Sequence, residues 1–120
     1  MSSAPVVIGI DVGTQGARVV AHDLTGILVH SESERFTGGW SAPEQKPDDW
    51  WNAVTLCLQR LTEQLGDREI AGISVTSTSG TVIPLDADWQ PVAPAFMYSE
   101  LRARCMAITM SPRDGGVKRA

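Results

Sequence analysis

The sequence contains little cysteine and no long apolar run. Cys57 and Cys105 are its only cysteines, and they form neither a CxxC pair nor a paired metal motif. This usage predicts free, buried thiols in a reducing compartment. The apolar run 6–10 is too short to cross a bilayer, and residues 1–5 lack the basic start of a signal peptide. We therefore expect a cytoplasmic protein that has no membrane partner.

Basic charge is also scarce. The 120 residues carry 10 Lys and Arg against 14 Asp and Glu, for a formal net charge of -4. This balance argues against a general nucleic-acid or membrane-surface binder. The apolar fraction of 42% and charged fraction of 20% are ordinary for a soluble globular protein. The length fits one domain with a single modest core.

Three short strands open the chain. Residues 6–10 are apolar and β-branched, residues 17–23 alternate, and residues 27–34 alternate again. Glycine-containing turns at 11–16 and 23–26 separate them. Strands joined by such tight turns predict an antiparallel meander.

One helix follows the meander. Pro47 is suited to a first helical turn, acids follow it, and Gly66 is placed to end the helix. Its apolar residues recur at steps of three and four, which predicts one buried stripe formed by Trp51, Val54, Leu58, Leu61 and Leu65. On this pattern Trp51 belongs to the core and Trp50 is its partly exposed neighbour.

Less regular segments complete the chain. Residues 70–76 predict a strongly buried strand, and residues 81–86 predict an edge or bulged strand because of Pro84. Residues 94–98 favour a short strand and residues 100–110 a helix. The order of elements predicts an α/β layer with a mixed sheet.

The turn after the first strand holds the main constellation of site-like residues, Asp11-x-Gly13-Thr14-x-Gly16-x-Arg18. A carboxylate at a strand end is suited to a hydrated Mg²⁺ ion. The glycines allow close backbone approach, so that N–H groups point at phosphate oxygens. Thr14 and Arg18 add a hydroxyl and a charge-assisted donor.

Spacing alone leaves two interpretations open, a phosphate-binding loop and an ordinary hairpin turn. The segment is not a P-loop, because no Gly-Lys-Ser/Thr follows it. It is not a dinucleotide fingerprint either, because a strand rather than a helix follows the glycines. Arg18 is equally suited to a nearby carboxylate and to phosphate.

Four stretches together resemble the FGGY family of carbohydrate kinases, within the actin-like ATPase superfamily. In the family's order they are 8–18 (IGIDVGTQGAR), 44–51 (EQKPDDWW), 70–76 (IAGISVT) and 94–103 (PAFMYSELRA). Residues 77–81 and 96–98 are most similar to ketopentose kinases of the ribulokinase or xylulokinase kind. The resemblance implies an N-terminal lobe of the ribonuclease H-like fold, whose mixed sheet opens with the three-stranded meander and is flanked by helices.

The resemblance also implies a reaction, the transfer of the γ-phosphoryl group of MgATP to a hydroxyl of a sugar such as a pentulose or related polyol. By this likeness ATP and Mg²⁺ are the cofactors and Asp11 belongs to the metal site. The phosphate loop comprises Gly13, Thr14, Gln15, Gly16 and Arg18. Ser79 and Gly80 fall where other members use larger, sugar-contacting side chains, so they shape the substrate pocket.

The chain departs from the family pattern in several places. Gln15 and Gly16 replace the usual Thr-Ser, and Glu100 stands where Asp is usual. The likeness predicts a partial kinase domain over 1–103 and an atypical, disordered tail over 104–120. Because the family's catalytic aspartate lies beyond residue 120, we expect a chain that is inactive alone and self-associates through uncovered apolar surface.

Two alternatives remain at this stage. One is a non-catalytic phosphate- or nucleotide-binding remnant of a truncated kinase gene. The other is a nuclease of the ribonuclease H-like group. That chemistry needs clustered carboxylates for two metals, and only Asp11 is well placed.

Overall fold

The structure is a computed structural model and describes residues 4–37 and 44–97. In chain order its elements are β1 (Val6–Val12), β2 (Gly16–Asp23), β3 (Leu28–Arg35), β4 (Glu44–Gln45), α1 (Pro47–Leu65), β5 (Ile70–Ser77) and β6 (Ala95–Phe96). They form two compact units. The first contains β1 to β3, α1 and β5, and the second contains β4, β6 and the segment that precedes β6.

The first unit is built on a four-stranded mixed sheet with the order β3-β2-β1-β5. β1 to β3 pair antiparallel, which confirms the predicted meander. β5 returns after α1 and pairs parallel to β1. Parallel neighbours need a crossover connection, and α1 provides it.

Strand alternation places one face of the meander against the helix. Val6, Ile8 and Ile10 of β1 are buried on this face, together with Val19 and Ala21 of β2. Cys57, Leu61 and Leu65 of α1 complete the core cluster. The other face of the sheet, which carries Asp11 and Arg18, is called the open face below.

An aspartate orders the turn between β2 and β3. Asp23 Oδ1 accepts hydrogen bonds from the N–H groups of Thr25 (2.9 Å) and Ile27 (3.0 Å) and from the Thr25 hydroxyl (2.6 Å). The hydroxyl and backbone donors stabilise the carboxylate and hold the pKa of Asp23 below its ordinary value. Gly26 has φ 93°, a conformation that favours glycine. The predicted turn is confirmed.

The helix begins and ends where the sequence predicts. Pro47 occupies its first turn with Asp48 and Asp49, and Gly66 follows its last residue with φ 63°. The Gly66 N–H donates to the Thr62 carbonyl (3.1 Å). Within the described ranges, no helix is long and apolar enough to cross a membrane.

The predicted stripe of the helix was partly wrong. Trp51 is 69% exposed, and the buried positions of α1 are Ala53, Cys57, Leu61 and Leu65. Trp50 is half-buried and packs against the small cluster of Ala17, Phe36 and Ala53. The spacing of the large apolar residues therefore misplaced the stripe, because the small residues Ala53 and Cys57 occupy two of the buried positions.

The predicted burial of the strand at 70–76 was also wrong. The strand exists, but Ile73 is 59% exposed and Val75 is 64% exposed. The reason is the position of α1, which packs mainly on β2 and β3 and leaves β5 uncovered at the sheet edge. An apolar, β-branched composition predicts a strand without showing whether anything covers it.

The second unit is small. β4 and β6 pair antiparallel, and isolated bridges join Val82 to Phe96 and Leu85 to Pro91. The predicted strand at 81–86 was therefore wrong, since only single bridges form there. Pro84 lacks the N–H donor that a continuous ladder needs. Asp86 Oδ1 instead orders a tight turn through the N–H groups of Asp88 and Gln90.

Some predictions lie outside the described residues. They are the helix at 100–110, the domain boundary at 103 and the tail at 104–120. Cys105 lies outside them as well, whereas Cys57 is free and buried as predicted.

Candidate functional site

The site is built on the turn that joins β1 to β2. The Gly13 N–H donates to the Gly16 carbonyl (2.9 Å), which closes the turn. The Phe36 N–H donates to the Gln15 carbonyl (3.0 Å), which ties the turn to the end of β3. Among the described residues, the Gln15 N–H donates to no group. A backbone donor in such a turn is therefore available to an anion.

The two glycines of the turn have different surroundings. A Cβ added at Gly16 would collide with the Glu34 carbonyl oxygen and lie 3.0 Å from the Arg35 Cα. A Cβ added at Gly13 would meet only the Gly16 carbonyl oxygen, at 3.4 Å, which is ordinary van der Waals contact. Gly16 is thus required by the packing of β2 against β3. Packing does not require a glycine at Gly13.

Asp11 and Arg18 are opposite each other in the β1–β2 ladder. Both lie on the open face and are exposed. Neither side chain takes part in a hydrogen bond or ion pair with any described residue. The sequence left open whether Arg18 pairs with a carboxylate, and it pairs with none in the part of the chain that the structure describes. A carboxylate and a guanidinium are therefore both available beside one turn.

An open cleft of about 600 Å³ surrounds the turn. Its lining includes the predicted phosphate loop and Asp11, and the residues are Asp11, Gly13, Thr14, Gln15, Gly16, Ala17, Arg18, Ser33, Glu34 and Arg35. The structure thus brings the predicted metal and phosphate residues together. This volume lies within the usual range of small-molecule sites.

The sequence analysis missed the contribution of β3 to this cleft. Ser33 is opposite Arg18 and Arg35 is opposite Gly16 in the β2–β3 ladder. The sequence analysis recognised the tight turn between β2 and β3. The register of that hairpin was the signal that could have identified Ser33 and Arg35. Arg35 adds a second guanidinium to the lining, and Glu34 forms an ion pair with Arg60 (2.7 Å).

The donor set fits a magnesium–nucleotide complex better than a metal ion alone. Within 4–37 and 44–97, no group of three or more His, Cys, Asp or Glu is arranged to hold a metal ion. Mg²⁺ is commonly bound through one or two carboxylates together with substrate phosphates. Asp11 as a single carboxylate meets that requirement when a nucleotide supplies the phosphate oxygens.

The predicted substrate residues belong to the second unit. Ser79 and Gly80 follow β5 and are exposed. Gly80 has φ 76°, so the local turn already favours glycine there. Their role toward a substrate stays a prediction.

The chain is similar to known carbohydrate kinases both in sequence and in fold. The family model described as FGGY family of carbohydrate kinases, N-terminal domain, matches residues 6–117. A xylulose kinase from Streptomyces coelicolor is 31% identical over 122 residues, which cover 98% of this chain and 25% of that protein. The solved gluconate kinase from Lactobacillus acidophilus superposes with a TM-score of 0.74 at 28% identity, covering 88% of this chain and 22% of that one.

A glycerol kinase from Plasmodium falciparum, solved with ADP, has the same fold. Its TM-score is 0.73 at 21% identity, covering 94% of this chain and 24% of that one. The chain spans about a quarter of the length of these relatives. The likeness of fold confirms the predicted actin-like lobe, and the family model covers most of the chain. This chain therefore belongs to the FGGY family of carbohydrate kinases.

Proposed function

We propose that this chain is the phosphate-binding part of an ATP-dependent kinase that transfers the γ-phosphoryl group of MgATP to a sugar hydroxyl. The proposal rests on the observation that Asp11 and Arg18 lie opposite each other in the β1–β2 ladder. Two opposite charges lie beside a glycine turn, and neither is neutralised by a described residue. Phosphoryl transfer depends on positioning and charge stabilisation, and these groups supply both at a phosphate.

Each residue of the turn has a distinct proposed role. Arg18 donates charge-assisted hydrogen bonds to phosphate oxygens. The Gln15 N–H donates to the same group, Thr14 contributes its backbone and hydroxyl, and Gly13 leaves room for close approach. Gly16 holds β2 against β3 and keeps the turn in place.

Asp11 is the proposed residue for the cation that accompanies the nucleotide. When bound, Mg²⁺ neutralises charge on the phosphoryl oxygens. Asp11 fits this role because it is exposed near the end of β1 and lines the same cleft as the turn residues.

We propose a polyol, with a ketopentose favoured, as the acceptor. The relatives are named for xylulose, gluconate and glycerol, which are all polyhydroxylated. The ketopentose preference rests on the likeness of residues 77–81 and 96–98 to ribulokinases and xylulokinases. Ser79 and Gly80 are the proposed substrate residues of this chain.

These 120 residues alone are proposed to bind nucleotide without turning it over, in the cytoplasm. The chain spans only about a quarter of its relatives, and the general base is proposed to lie outside it. Binding without catalysis is also what a nucleotide-binding remnant of a kinase gene would show. Adding the remaining part of a related kinase distinguishes these two cases. Kinase activity should appear if the chain is the phosphate-binding part of an active kinase, and not if it is a remnant.

Isothermal titration calorimetry of the chain with MgATP tests the proposal. We expect saturable binding that Asp11→Asn weakens, with Asp67→Asn, on the loop after α1, as the matched control. ADP release should stay at background with xylulose, ribulose or gluconate. Absence of binding at millimolar MgATP would refute the proposed function, and turnover by the isolated chain would refute the placement of the base.

A further inference from the structure

A third strand extends the row formed by Asp11 and Arg18. In the β1–β5 ladder Thr76 is the partner of Asp11, just as Arg18 is its partner in the β1–β2 ladder. Register partners in a sheet project to the same face. Asp11 is thus flanked by a guanidinium on one side and by the Thr76 hydroxyl on the other.

A second cleft lies on the open face beside this row. It has a volume of about 290 Å³, and its lining combines Asp11 and Arg18 with the hydroxyl-bearing Ser74 and Thr76 of β5. Ser74 is the register partner of Gly9, which has no side chain to fill the space between them. Gly9 therefore lines the cleft with backbone alone.

Two hydroxyls of β5, those of Ser74 and Thr76, have no hydrogen-bond partner among the described residues. Ser74 and Thr76 are exposed, and neither side chain forms a hydrogen bond with any residue in 4–37 or 44–97. The adjoining residues Ile73 and Val75 project to the opposite face. Ser74 and Thr76 thus share the face of the sheet that carries Asp11.

We propose that Thr76, supported by Ser74, forms the β5 side of the Asp11 metal site and holds the water molecules that hydrate the cation. This inference rests on the proposed function. Mg²⁺ dehydrates reluctantly and keeps several waters when the protein supplies only one carboxylate. Those waters donate hydrogen bonds and need acceptors. The Thr76 and Ser74 oxygens are acceptors at the free side of Asp11.

The competing explanation for Thr76 is structural, since β-branched residues are common in strands. Thr76→Val keeps this shape and removes the hydroxyl, and Thr76→Ser keeps the hydroxyl. Ser31→Ala is the matched control, because Ser31 is an exposed hydroxyl opposite Val20 and lines neither cleft.

The experiment measures Mn²⁺ affinity of the full chain by electron paramagnetic resonance in the presence of ADP. ADP affinity without metal and thermal unfolding are measured beside it. We expect Thr76→Val to weaken Mn²⁺ binding about three- to tenfold, which is the worth of one neutral hydrogen bond. Thr76→Ser and Ser31→Ala should bind like the parent chain, and metal-free ADP affinity should not change.

The outcomes separate the two proposals. If the parent chain binds Mn²⁺–ADP and Thr76→Val binds it equally well, this inference is overturned and the proposed function stands. Equal losses in Thr76→Val and Thr76→Ser, or a loss in Ser31→Ala, would also overturn it by showing a structural effect. If the parent chain shows no metal-dependent binding of ADP, the proposed function fails and this inference fails with it.

Discussion

Asp11 and Arg18 are opposite each other across the β1–β2 ladder, and neither side chain is paired with any residue that the structure describes. Opposite charges at such positions commonly attract each other by about 0.2–1 kcal/mol. Here both remain exposed at the edge of a cleft. An anion and its accompanying cation therefore meet complementary charges without first breaking an ion pair.

Replacing Arg18 with alanine should weaken nucleotide binding. A hydrogen bond to a charged group is worth about 1.5–3 kcal/mol, which corresponds to roughly ten- to a hundredfold in affinity. Arg18→Lys keeps the charge but loses the planar fork, so its affinity should fall between the other two. Calorimetry at low salt measures the three affinities, and equal values for Arg18→Ala and the parent chain would contradict the phosphate role.

Alanine at the two turn glycines should separate folding from binding. Gly16→Ala forces a Cβ against the Glu34 carbonyl oxygen, so it should lower the unfolding midpoint. Gly13→Ala meets only an ordinary contact and should fold normally while binding MgATP more weakly. Urea unfolding and calorimetry of both variants check this. A stable Gly16→Ala variant would contradict the close packing of β2 and β3.

Core and surface positions of α1 should differ sharply in stability. Leu61 is fully buried in the main core, whereas Trp51 is 69% exposed. Leu61→Ala should lower the free energy of unfolding by about 2–5 kcal/mol. Trp51→Ala should change it by roughly 0.5 kcal/mol or less, as surface substitutions usually do. Urea denaturation measures both changes. A larger loss of stability in Trp51→Ala than in Leu61→Ala would contradict the observed burial of the helix face.

The uncovered β5 should promote self-association of the chain. Ile73 and Val75 are exposed, and β5 is an edge strand of the sheet that the described residues form. Residues 70–85 contain no charged side chain. Such edges tend to pair with other chains, and a charge blocks this pairing. Val75→Lys should therefore shift sedimentation toward monomer, whereas Leu24→Lys, on the β2–β3 turn, should not. A parent chain that is monomeric at every concentration tested would contradict the prediction.

The buried Cys57 thiol should react slowly. Burial raises the pKa of Cys57 above its ordinary value, and the nearby Glu34 charge acts in the same direction. The neutral thiol favours the fold at neutral pH, and this contribution is lost as pH rises through the raised pKa. In the Cys105→Ser variant, labelling of the Cys57 thiol by a disulfide reagent should accelerate as the pH rises above neutral and when urea is added. Fast labelling of the folded chain at neutral pH would contradict the burial.

Local signals in the sequence predicted much of the site. The tight turns predicted the meander, because few connections other than hairpins join strands so closely. Pro47 and Gly66 predicted both ends of the helix, since each acts on its own backbone. The glycine-punctuated turn with Asp11 and Arg18 was recognisable for the same reason. Its residues lie within one hairpin and need no distant partner to come together.

The packing of α1 on the sheet and the pairing of distant strands were not predictable from local signals. Periodicity could not show that α1 covers β2 and β3 and leaves β5 exposed, so the burial of residues 70–76 was misjudged. Trp51 was misplaced because its spacing from the other apolar residues of α1 did not show which face of the helix packs on the sheet. Ser33, Arg35 and Thr76 join the surroundings of Asp11 and Arg18 only through strand register.

The sequence by itself determined the opening hairpin, the helix boundaries and the family, since these depend on neighbouring residues and their order. Only the tertiary structure decided that Asp11 and Arg18 pair with no other residue within 4–37 and 44–97, and that Thr76 lies beside Asp11. It also decided that α1 packs on the face of the sheet opposite to Asp11 and Arg18. The physical reason is that pairing between strands and the position of a helix depend on contacts between residues far apart in the chain.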